Sequence, residues 1–293
     1  MTRRIMLIIN PHSGRGLSKT ALGTIISTLC DADHTVTVYF SNDKTPEELV
    51  REHAQEHDLV VCVGGDGTLS GVITGLLKAD ISIPVGYIPS GTANDVAQTL
   101  ALSRDPMAAS EVILKGTPKA IDIGKFRDRF FTYIAAFGAF TGIAYQTPQS
   151  AKRALGHLAY VLGGLAEVAE IKPQRTIVEY DGNTLEGDFI FGGVTNSTSV
   201  GGFIKLNPER VNLADGEFEI ILVKQPVVPA DLFDIMSSVT VSTYDGENVK
   251  MLHASKVRFI FEEKVAWTVD GEDGGKHKSV EITNFQKAIE IVM

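Results

Sequence analysis

The chain has 293 residues, of which 44% are hydrophobic and 22% are charged, which is typical of a well-packed soluble protein with one large or two medium domains. Its formal net charge of −9 argues against nucleic acid as a partner, because nucleic-acid binding normally needs a basic surface. No apolar run approaches the ~20 residues of a membrane-spanning helix, and two cysteines without C-x-x-C spacing predict a reduced, cytoplasmic protein.

The first elements alternate between strand and helix, as in an α/β domain with a parallel sheet. Residues 4–9 are predicted to form a buried strand, which ends in a turn containing glycine and serine at residues 10–16 and leads to a helix over 19–29. A second strand over 34–40 precedes a helix that begins at Pro46, a position that favours proline.

The strongest motif follows the third predicted strand, residues 59–63, whose apolar and mostly β-branched side chains indicate burial on both faces. Gly64, Gly65 and Gly67 form a turn without Cβ atoms, and we expect Thr68 to cap the helix that follows. Such a strand, turn and helix can bind phosphate, because backbone N–H groups point out of the turn and the helix dipole favours an anion.

Asp66 lies within this turn, where its carboxylate would repel phosphates unless a cation lay between them. It therefore indicates Mg²⁺, held directly or through water, or a hydrogen bond to a neighbouring donor. The turn is not a P-loop, because no Gly-Lys-Ser/Thr follows, and it lacks the G-x-G-x-x-G dinucleotide fingerprint. An ordinary strand-to-helix turn, with glycines for geometry alone, is the alternative.

A third junction repeats the pattern, with a strand over 83–88 and a polar, glycine-bearing turn over 89–95. In a parallel sheet the three turns gather at the carboxyl edge, where ligands bind, and this favours a nucleotide site. A helix from residue 94 to about 101 and another over Pro106–Lys115 complete this part of the chain.

Beyond residues 119–125 the pattern changes to strands separated by turns, which is typical of an antiparallel sandwich or barrel. We place the boundary near residues 124–127. This gives an N-terminal α/β nucleotide-binding domain over 1–125 and a C-terminal antiparallel β-sandwich domain over 126–293. The last residues of the chain belong either to the second domain or, by returning, to the first. The strands of the second domain are predicted over residues 129–136, 175–180, 185–196, 217–224, 256–261, 264–269 and 279–283.

Two helical patterns interrupt these strands. Residues 150–171 carry an apolar stripe with Lys152 and Arg153 near its start, so this helix either packs on the sheet or faces a lipid surface. The second helix is predicted over Pro229–Val241, and the sequence assigns it no function.

Two acidic turns also belong to the second domain. Asn212, Asp215 and Glu217 offer oxygen ligands at close spacing for a hard cation, with a plain Asp-Gly turn as the alternative. Asp270 and Glu272 follow the strand that contains the only tryptophan, and they form either a solvated hairpin turn or a general base.

Six motifs spread over both domains resemble those of the diacylglycerol kinase catalytic-domain family, in particular its bacterial soluble lipid kinases. The glycine-aspartate motif alone is not specific, because NAD kinases, phosphofructokinases and sphingosine kinases resemble it there. The combination of the six is highly specific. In family order they are residues 10–14, 64–68, 89–95, 122–124, 213–216 and 270–272.

This resemblance implies a two-domain ATP:lipid phosphotransferase with its active site in the interdomain cleft. Ser41 stands where relatives commonly carry a threonine that contacts the nucleotide, and it keeps the hydroxyl. By match to the family pattern, ATP would be bound by Asn10, Pro11, His12, Ser13, Gly14, Ser41, Gly64, Gly65, Asp66, Gly67, Thr68, Leu69, Ser70 and Thr92.

The resemblance also implies roles for the acidic residues. Asp66 and Asp122 would belong to the network that organises Mg²⁺ at the phosphates. Glu272 matches the proton acceptor, with Asp270 as its essential partner or as an alternative base. A structural Mg²⁺ site, partly formed by backbone carbonyls, would involve Asn212, Asp215 and Glu217.

The predicted function is a cytoplasmic lipid kinase, peripheral at the inner face of the membrane, that uses Mg·ATP to convert diacylglycerol to phosphatidic acid. The net charge of −9 means that its membrane contact needs a local basic or apolar patch. The alternatives are another acceptor, either a sphingosine-like lipid alcohol or NAD, and a non-catalytic nucleotide-binding regulator on the same fold. The sequence leaves the acyl-chain preference and the existence of a homodimer open.

Overall fold

A computed structural model describes residues 2–14, 18–30, 34–138, 171–200, 204–241, 244 and 246–293. The helix predicted over residues 150–171 lies outside this part of the chain, apart from Ile171. No helix in the described ranges combines the length and the apolar character needed to cross a bilayer.

The N-terminal part contains parallel strands with helices on both faces. The strands are β1 (Arg4–Ile9), β2 (Thr35–Phe40), β3 (Leu59–Gly64) and β4 (Val85–Pro89). They pair in the order β4-β3-β1-β2, all in parallel. The helices are α1 (Lys19–Cys30), α2 (Pro46–His53), α3 (Asp66–Ala79), α4 (Asp95–Thr99) and α5 (Pro106–Lys115). Strand β3 is buried along its whole length, as its continuous apolar run predicts.

Local sequence explains where several helices begin. Thr45 and Glu48 form a reciprocal capping box at the start of α2, and the side chain of Asp105 caps α5. The prediction that Thr68 caps α3 is wrong. That helix begins two residues earlier, at Asp66, so Thr68 lies in its first turn and its Oγ1 is free to accept a hydrogen bond from elsewhere.

The C-terminal part consists mainly of antiparallel strands. Its strands are β5 (Pro118–Phe126), β6 (Arg129–Phe131), β7 (Ile134–Gly138), β8 (Gln174–Tyr180), β9 (Asn183–Thr195), β10 (Ser199–Val200), β11 (Ile204–Lys205), β12 (Phe218–Lys224), β13 (Val249–Ala254), β14 (Lys256–Val269) and β15 (Glu272–Val292). The helix α6 (Pro229–Val241) has the predicted bounds.

Four predicted strands differ from those observed. The strand predicted over 129–136 is interrupted between β6 and β7, where backbone N–H groups bind a carboxylate instead of a neighbouring strand. The strands predicted over 256–261 and 264–269 form the single strand β14, whose register shifts between Ile260 and Val265. The segment 279–283 is part of the 21-residue strand β15.

Strand β15 connects the two parts of the molecule. It is antiparallel to β14 and to β5, and it then runs parallel to β4, with Ile291 opposite Val85. The main sheet therefore contains 13 strands from both parts of the described chain. One hydrophobic core also contains residues of both parts, including Cys62, Tyr87 and Ile221. The shared sheet and core fix the positions of the N-terminal turns relative to the C-terminal strands.

Candidate active site

The carboxyl ends of β1, β3 and β4 meet at one edge of the parallel strands, as the three turns predict. The backbone N–H of Asn10 donates to Val63 O at 2.9 Å, and that of Ser90 donates to Gly64 O at 2.7 Å. The Asn10 side chain donates from Nδ2 to Thr68 Oγ1 at 3.0 Å. The three turns therefore form one continuous surface.

Two glycines are required here because the backbones of neighbouring turns touch. At Gly14, whose φ is +61°, a Cβ would lie 2.3 Å from Ser90 O, and at Gly91 it would lie 2.5 Å from Gly65 Cα. Any side chain at either position would push the turns apart. This close packing leaves a surface of main chain, which suits a phosphate.

The remaining predicted nucleotide residues differ in accessibility. Ser41 follows β2, and its N–H donates to Ile9 O at 3.0 Å, so it lies at the same edge of the sheet. His12 and Thr92 are exposed. Leu69 has its side chain fully buried in the hydrophobic core, so that side chain cannot contact a nucleotide.

Asp66 begins α3 and binds the start of α4. Its carboxylate accepts hydrogen bonds from the backbone N–H groups of Asp95 at 3.0 Å and Val96 at 3.2 Å. The pKa of Asp66 is raised to about 6: burial is the main cause, the two hydrogen bonds oppose the increase, and the nearby carboxylates of Asp95 and Asp270 add to it. Hydrogen bonding to neighbouring donors, one of the two explanations that the sequence offers, is therefore present.

Asp270 is an anchor for the turn between β14 and β15. Its carboxylate accepts four hydrogen bonds: from Thr132 N at 2.7 Å, Thr132 Oγ1 at 2.9 Å, Tyr133 N at 3.1 Å and Ile134 N at 3.2 Å. The residue is buried, which raises its pKa, while these bonds oppose the increase. Asp270 is thus part of a closed hydrogen-bond network rather than a solvated hairpin turn.

Glu272 is exposed and lies opposite the glycine turn. Its Oε2 forms an ion pair with Arg129, whose Nη1 also donates to Asp273 O at 3.2 Å. A Cβ built on Gly67 would lie 3.8 Å from Glu272 Oε1. The structure therefore places the free oxygen of Glu272 against the first turn of α3, where the sequence predicts phosphate.

Asp122 has a different environment from Asp66. It is completely buried, and its carboxylate accepts hydrogen bonds from Gly216 N at 2.6 Å and Lys287 N at 2.7 Å. Asp122 therefore binds the turn over 212–217 to strand β15, whereas Asp66 binds α4. Within the described ranges the two carboxylates have no hydrogen-bond partner in common.

The predicted structural Mg²⁺ residues form hydrogen bonds within their own turn. Asn212 Oδ1 accepts from Ala214 N at 3.2 Å, and Asp215 Oδ1 accepts from Glu217 N at 3.0 Å. Across the part of the chain that the structure describes, no three His, Cys, Asp or Glu side chains cluster closely enough to hold a metal ion by themselves. Any cation here would need backbone carbonyl oxygens or other ligands as well.

The sequence interpretation assigned no role to two acidic residues at this site. Asp95 is buried and its Oδ1 accepts from Ser199 Oγ at 2.8 Å, while Thr99 and Ser197 share a hydroxyl hydrogen bond of 2.6 Å. These hydrogen bonds link α4 to the C-terminal part. Glu219 lies buried on β12, and burial together with nearby carboxylates raises its pKa to about 8. The sequence signal for Glu219 was an acidic residue inside the apolar run of β12.

A small cavity lies where the two parts meet. It has a volume of about 10 Å³, enough for about one water molecule, and it is lined by Thr99 of α4, Thr132 beside the Asp270 anchor, Asn196 and Leu213, among others. It is too small for a lipid. The cavity therefore marks the contact between the two parts rather than an acceptor site.

Two family models together match almost the whole chain. The diacylglycerol kinase catalytic domain matches residues 4–126, and the YegS C-terminal NAD kinase beta sandwich-like domain matches residues 138–292. The chain is 33% identical to a diacylglycerol kinase of Bacillus subtilis (strain 168), with 99% of this chain and 96% of that protein covered. It is also 33% identical to a diacylglycerol kinase of Staphylococcus aureus (strain JH9), with 94% and 88% covered.

Solved structures share the fold. A structure described as a diacylglycerol kinase from Bacillus anthracis has a TM-score of 0.78 at 22% identity, with 99% of this chain and 96% of that one covered. Another from the same organism has a TM-score of 0.83 at 23% identity, with 100% and 97% covered. Together the sequence matches define a kinase, that is, a phosphotransferase with an alcohol acceptor. The chain belongs to the diacylglycerol kinase family.

Proposed function

We propose that the protein transfers the γ-phosphate of ATP to the free hydroxyl of diacylglycerol and so forms phosphatidic acid. The observation that carries this proposal is the position of Glu272, whose Oε1 lies 3.8 Å from the place of a Cβ on Gly67. A phosphate at this turn would have a carboxylate beside it that can accept a proton. Relatives named diacylglycerol kinase, at 33% identity over nearly the whole chain, support this acceptor.

We assign the nucleotide to the turns after β1, β3 and β4. The contact of Gly14 with Ser90 and of Gly91 with Gly65 leaves main-chain atoms accessible to a polyphosphate. The N-terminus of α3 adds a partial positive charge at the same edge. These features supply anion binding without the lysine of a P-loop.

The acidic residues fit Mg²⁺ beside these phosphates. Burial and the neighbouring carboxylates Asp95 and Asp270 raise the pKa of Asp66 to about 6, and a bound cation would relieve this concentration of negative charge. Mg²⁺ usually takes one or two carboxylates together with phosphate oxygens and water, so a site without three clustered carboxylates suits it. When bound, it would neutralise charge on the transferred phosphoryl group.

Glu272 would act as the proton acceptor in this reaction. As the lipid oxygen attacks the γ-phosphorus, its hydroxyl proton passes to Oε1 of Glu272, and the bond to ADP breaks on the opposite side. Positioned proton acceptors contribute about 10²- to 10⁴-fold in rate. Asp270, held by four donors, would fix the turn that carries this group.

A second cation would stabilise the turn over 212–217 in our proposal. Asp122 holds this turn by accepting a hydrogen bond from Gly216 N. The buried carboxyl of Glu219 lies near the turn and near Asp122, whose carboxylate helps to raise the pKa of Glu219. Negative charge is therefore concentrated here as well. Asn212, Asp215 and Glu217, with backbone carbonyls, are the proposed ligands.

Because diacylglycerol resides in membranes, we propose that the enzyme acts as a peripheral protein at the inner face of the membrane.

Two other acceptors need a test. Another lipid alcohol would use the same geometry, and the description of the C-terminal family model, NAD kinase beta sandwich-like, makes NAD a specific competitor.

The experiment is transfer of labelled γ-phosphate from Mg·ATP to diacylglycerol, sphingosine, other lipid alcohols and NAD, with the native chain and Asp66→Asn side by side. We expect label on diacylglycerol and strong loss of label with Asp66→Asn. Label on NAD or on another alcohol instead would identify that molecule as the acceptor in place of diacylglycerol. ATP binding without label on any acceptor would support a non-catalytic regulator.

A further inference from the structure

Arg129 is a cation at the site that none of the sequence motifs includes. It begins β6, and this strand packs against α3, the helix that starts in the glycine turn. The hairpin between β5 and β6 turns at Arg127, where φ is +58°, and this brings Arg129 opposite the start of β15. A short local turn thus delivers a guanidinium to a carboxylate that lies 143 residues away in the chain.

The two oxygens of Glu272 face different groups. Oε2 is bound by Arg129, while Oε1 faces Gly67. The guanidinium is itself held, because its other nitrogen donates to Asp273 O at 3.2 Å, on the same turn. The planar fork of an arginine can make both bonds at once, which the single ammonium of a lysine does less well.

This ion pair is well suited to orienting a side chain and poorly suited to stabilising the fold. The side chains of Arg129 and Glu272 are 37% and 64% exposed. Ion pairs at exposed sites contribute little to the free energy of unfolding, because water and salt screen them. A long glutamate side chain would otherwise sample several rotamers in solvent, and only some of these direct Oε1 towards the turn.

We propose that Arg129 is a positioning residue that holds Glu272 with its free oxygen directed at the acceptor hydroxyl. This inference rests on the proposed function, because it concerns the proton acceptor of the phosphoryl transfer. Arg129 acts through Glu272 and need not touch the substrate. Loss of the guanidinium should therefore slow the chemical step and leave nucleotide binding and folding unchanged.

The test compares the native chain with Arg129→Met, Arg129→Lys and the control Arg175→Met. Arg175, on β8, is 47% exposed and forms ion pairs with Glu186 and Asp188 on the neighbouring strand β9, outside the site. The readouts are kcat for transfer to diacylglycerol, KM for ATP, and Tm. For Arg129→Met we expect a kcat lower by about 10- to 100-fold, the range that misplacement of a reacting group causes, with KM and Tm unchanged.

Rescue gives a readout that a purely structural role would not change. Millimolar guanidinium ion should restore part of the kcat of Arg129→Met, Arg129→Lys should retain an intermediate kcat, and Arg175→Met should behave as native. In a Glu272→Gln background, Arg129→Met should cause no further loss, because the group that it orients is already disabled.

Three results would overturn the inference. The first is an unchanged kcat for Arg129→Met in an active native enzyme. The second is a loss accompanied by a lower Tm and restored by neither guanidinium nor lysine. The third is a further loss in the Glu272→Gln background, which would mean that Arg129 contacts the phosphate itself. If the native chain labels no acceptor at all, the proposed function fails and this inference fails with it.

Discussion

Replacing Asp270 with asparagine separates its anchoring role from the proton-accepting role of Glu272. The Asp270 carboxylate accepts four hydrogen bonds from residues 132–134. An amide keeps one acceptor oxygen and turns an NH₂ group towards the other donors, so about two charge-assisted hydrogen bonds are lost at roughly 1.5–3 kcal/mol each. The neutral side chain costs less to bury, which offsets part of this loss.

We therefore expect Asp270→Asn to lower the free energy of unfolding by about 2–4 kcal/mol, which for a chain of this length corresponds to a Tm lower by roughly 3–7 °C. Glu272→Gln, at an exposed position, should keep the native Tm while losing activity. The assay is thermal unfolding of the three proteins without ligands, followed by circular dichroism. A native Tm for Asp270→Asn, or an equal decrease for both variants, would refute the anchoring role.

Three further predictions concern other parts of the site. Gly91→Ala should lower Tm and weaken ATP binding in a titration, because its Cβ would lie 2.5 Å from the facing turn, whereas Gly23→Ala on α1, with nothing within 4 Å, should do neither. Burial raises the pKa of Glu219 from 4.5 to about 8, so the unfolded chain releases this proton first and stability should fall as pH rises from about 4.5 to about 8. Denaturation at a series of pH values should show that the free energy of unfolding falls less with pH for Glu219→Gln than for the native chain. An equal fall in the two proteins would contradict this. Ser199→Ala removes a 2.8 Å hydrogen bond to buried Asp95 and should cost about 1–3 kcal/mol in chemical denaturation, while an unchanged midpoint would count against the link between α4 and the C-terminal part.

Local patterns in the sequence predict much of the fold. The apolar run of β3 predicts a strand buried on both faces, and proline at the first position of α5 predicts the observed start of that helix. The glycine-bearing turns after β1, β3 and β4 predict that these motifs meet, because parallel strands place their carboxyl ends at one edge. Each of these features depends on residues that are close together in the chain.

Features that depend on distant residues could not be predicted from such patterns. Asp270 receives its donors from residues about 138 positions earlier, and the partner of Glu272 lies 143 positions earlier. Strand β15 extends through polar residues that give a weak strand pattern, because β14, β5 and β4 supply its partners. Thr68 failed as a predicted cap because the helix already begins at Asp66, and its hydroxyl accepts a hydrogen bond from Asn10 at another strand end instead.

The measurement that tests the central claim most directly is the rate of phosphate transfer from ATP to diacylglycerol by the native chain, Glu272→Gln and the control Glu186→Gln. Glu186 is an exposed glutamate in an arginine ion pair, as Glu272 is, but it lies outside the site. We predict transfer by the native chain and by Glu186→Gln, and a rate lower by about 10²- to 10⁴-fold for Glu272→Gln with unchanged ATP affinity. A native rate for Glu272→Gln would contradict its assignment as the proton acceptor.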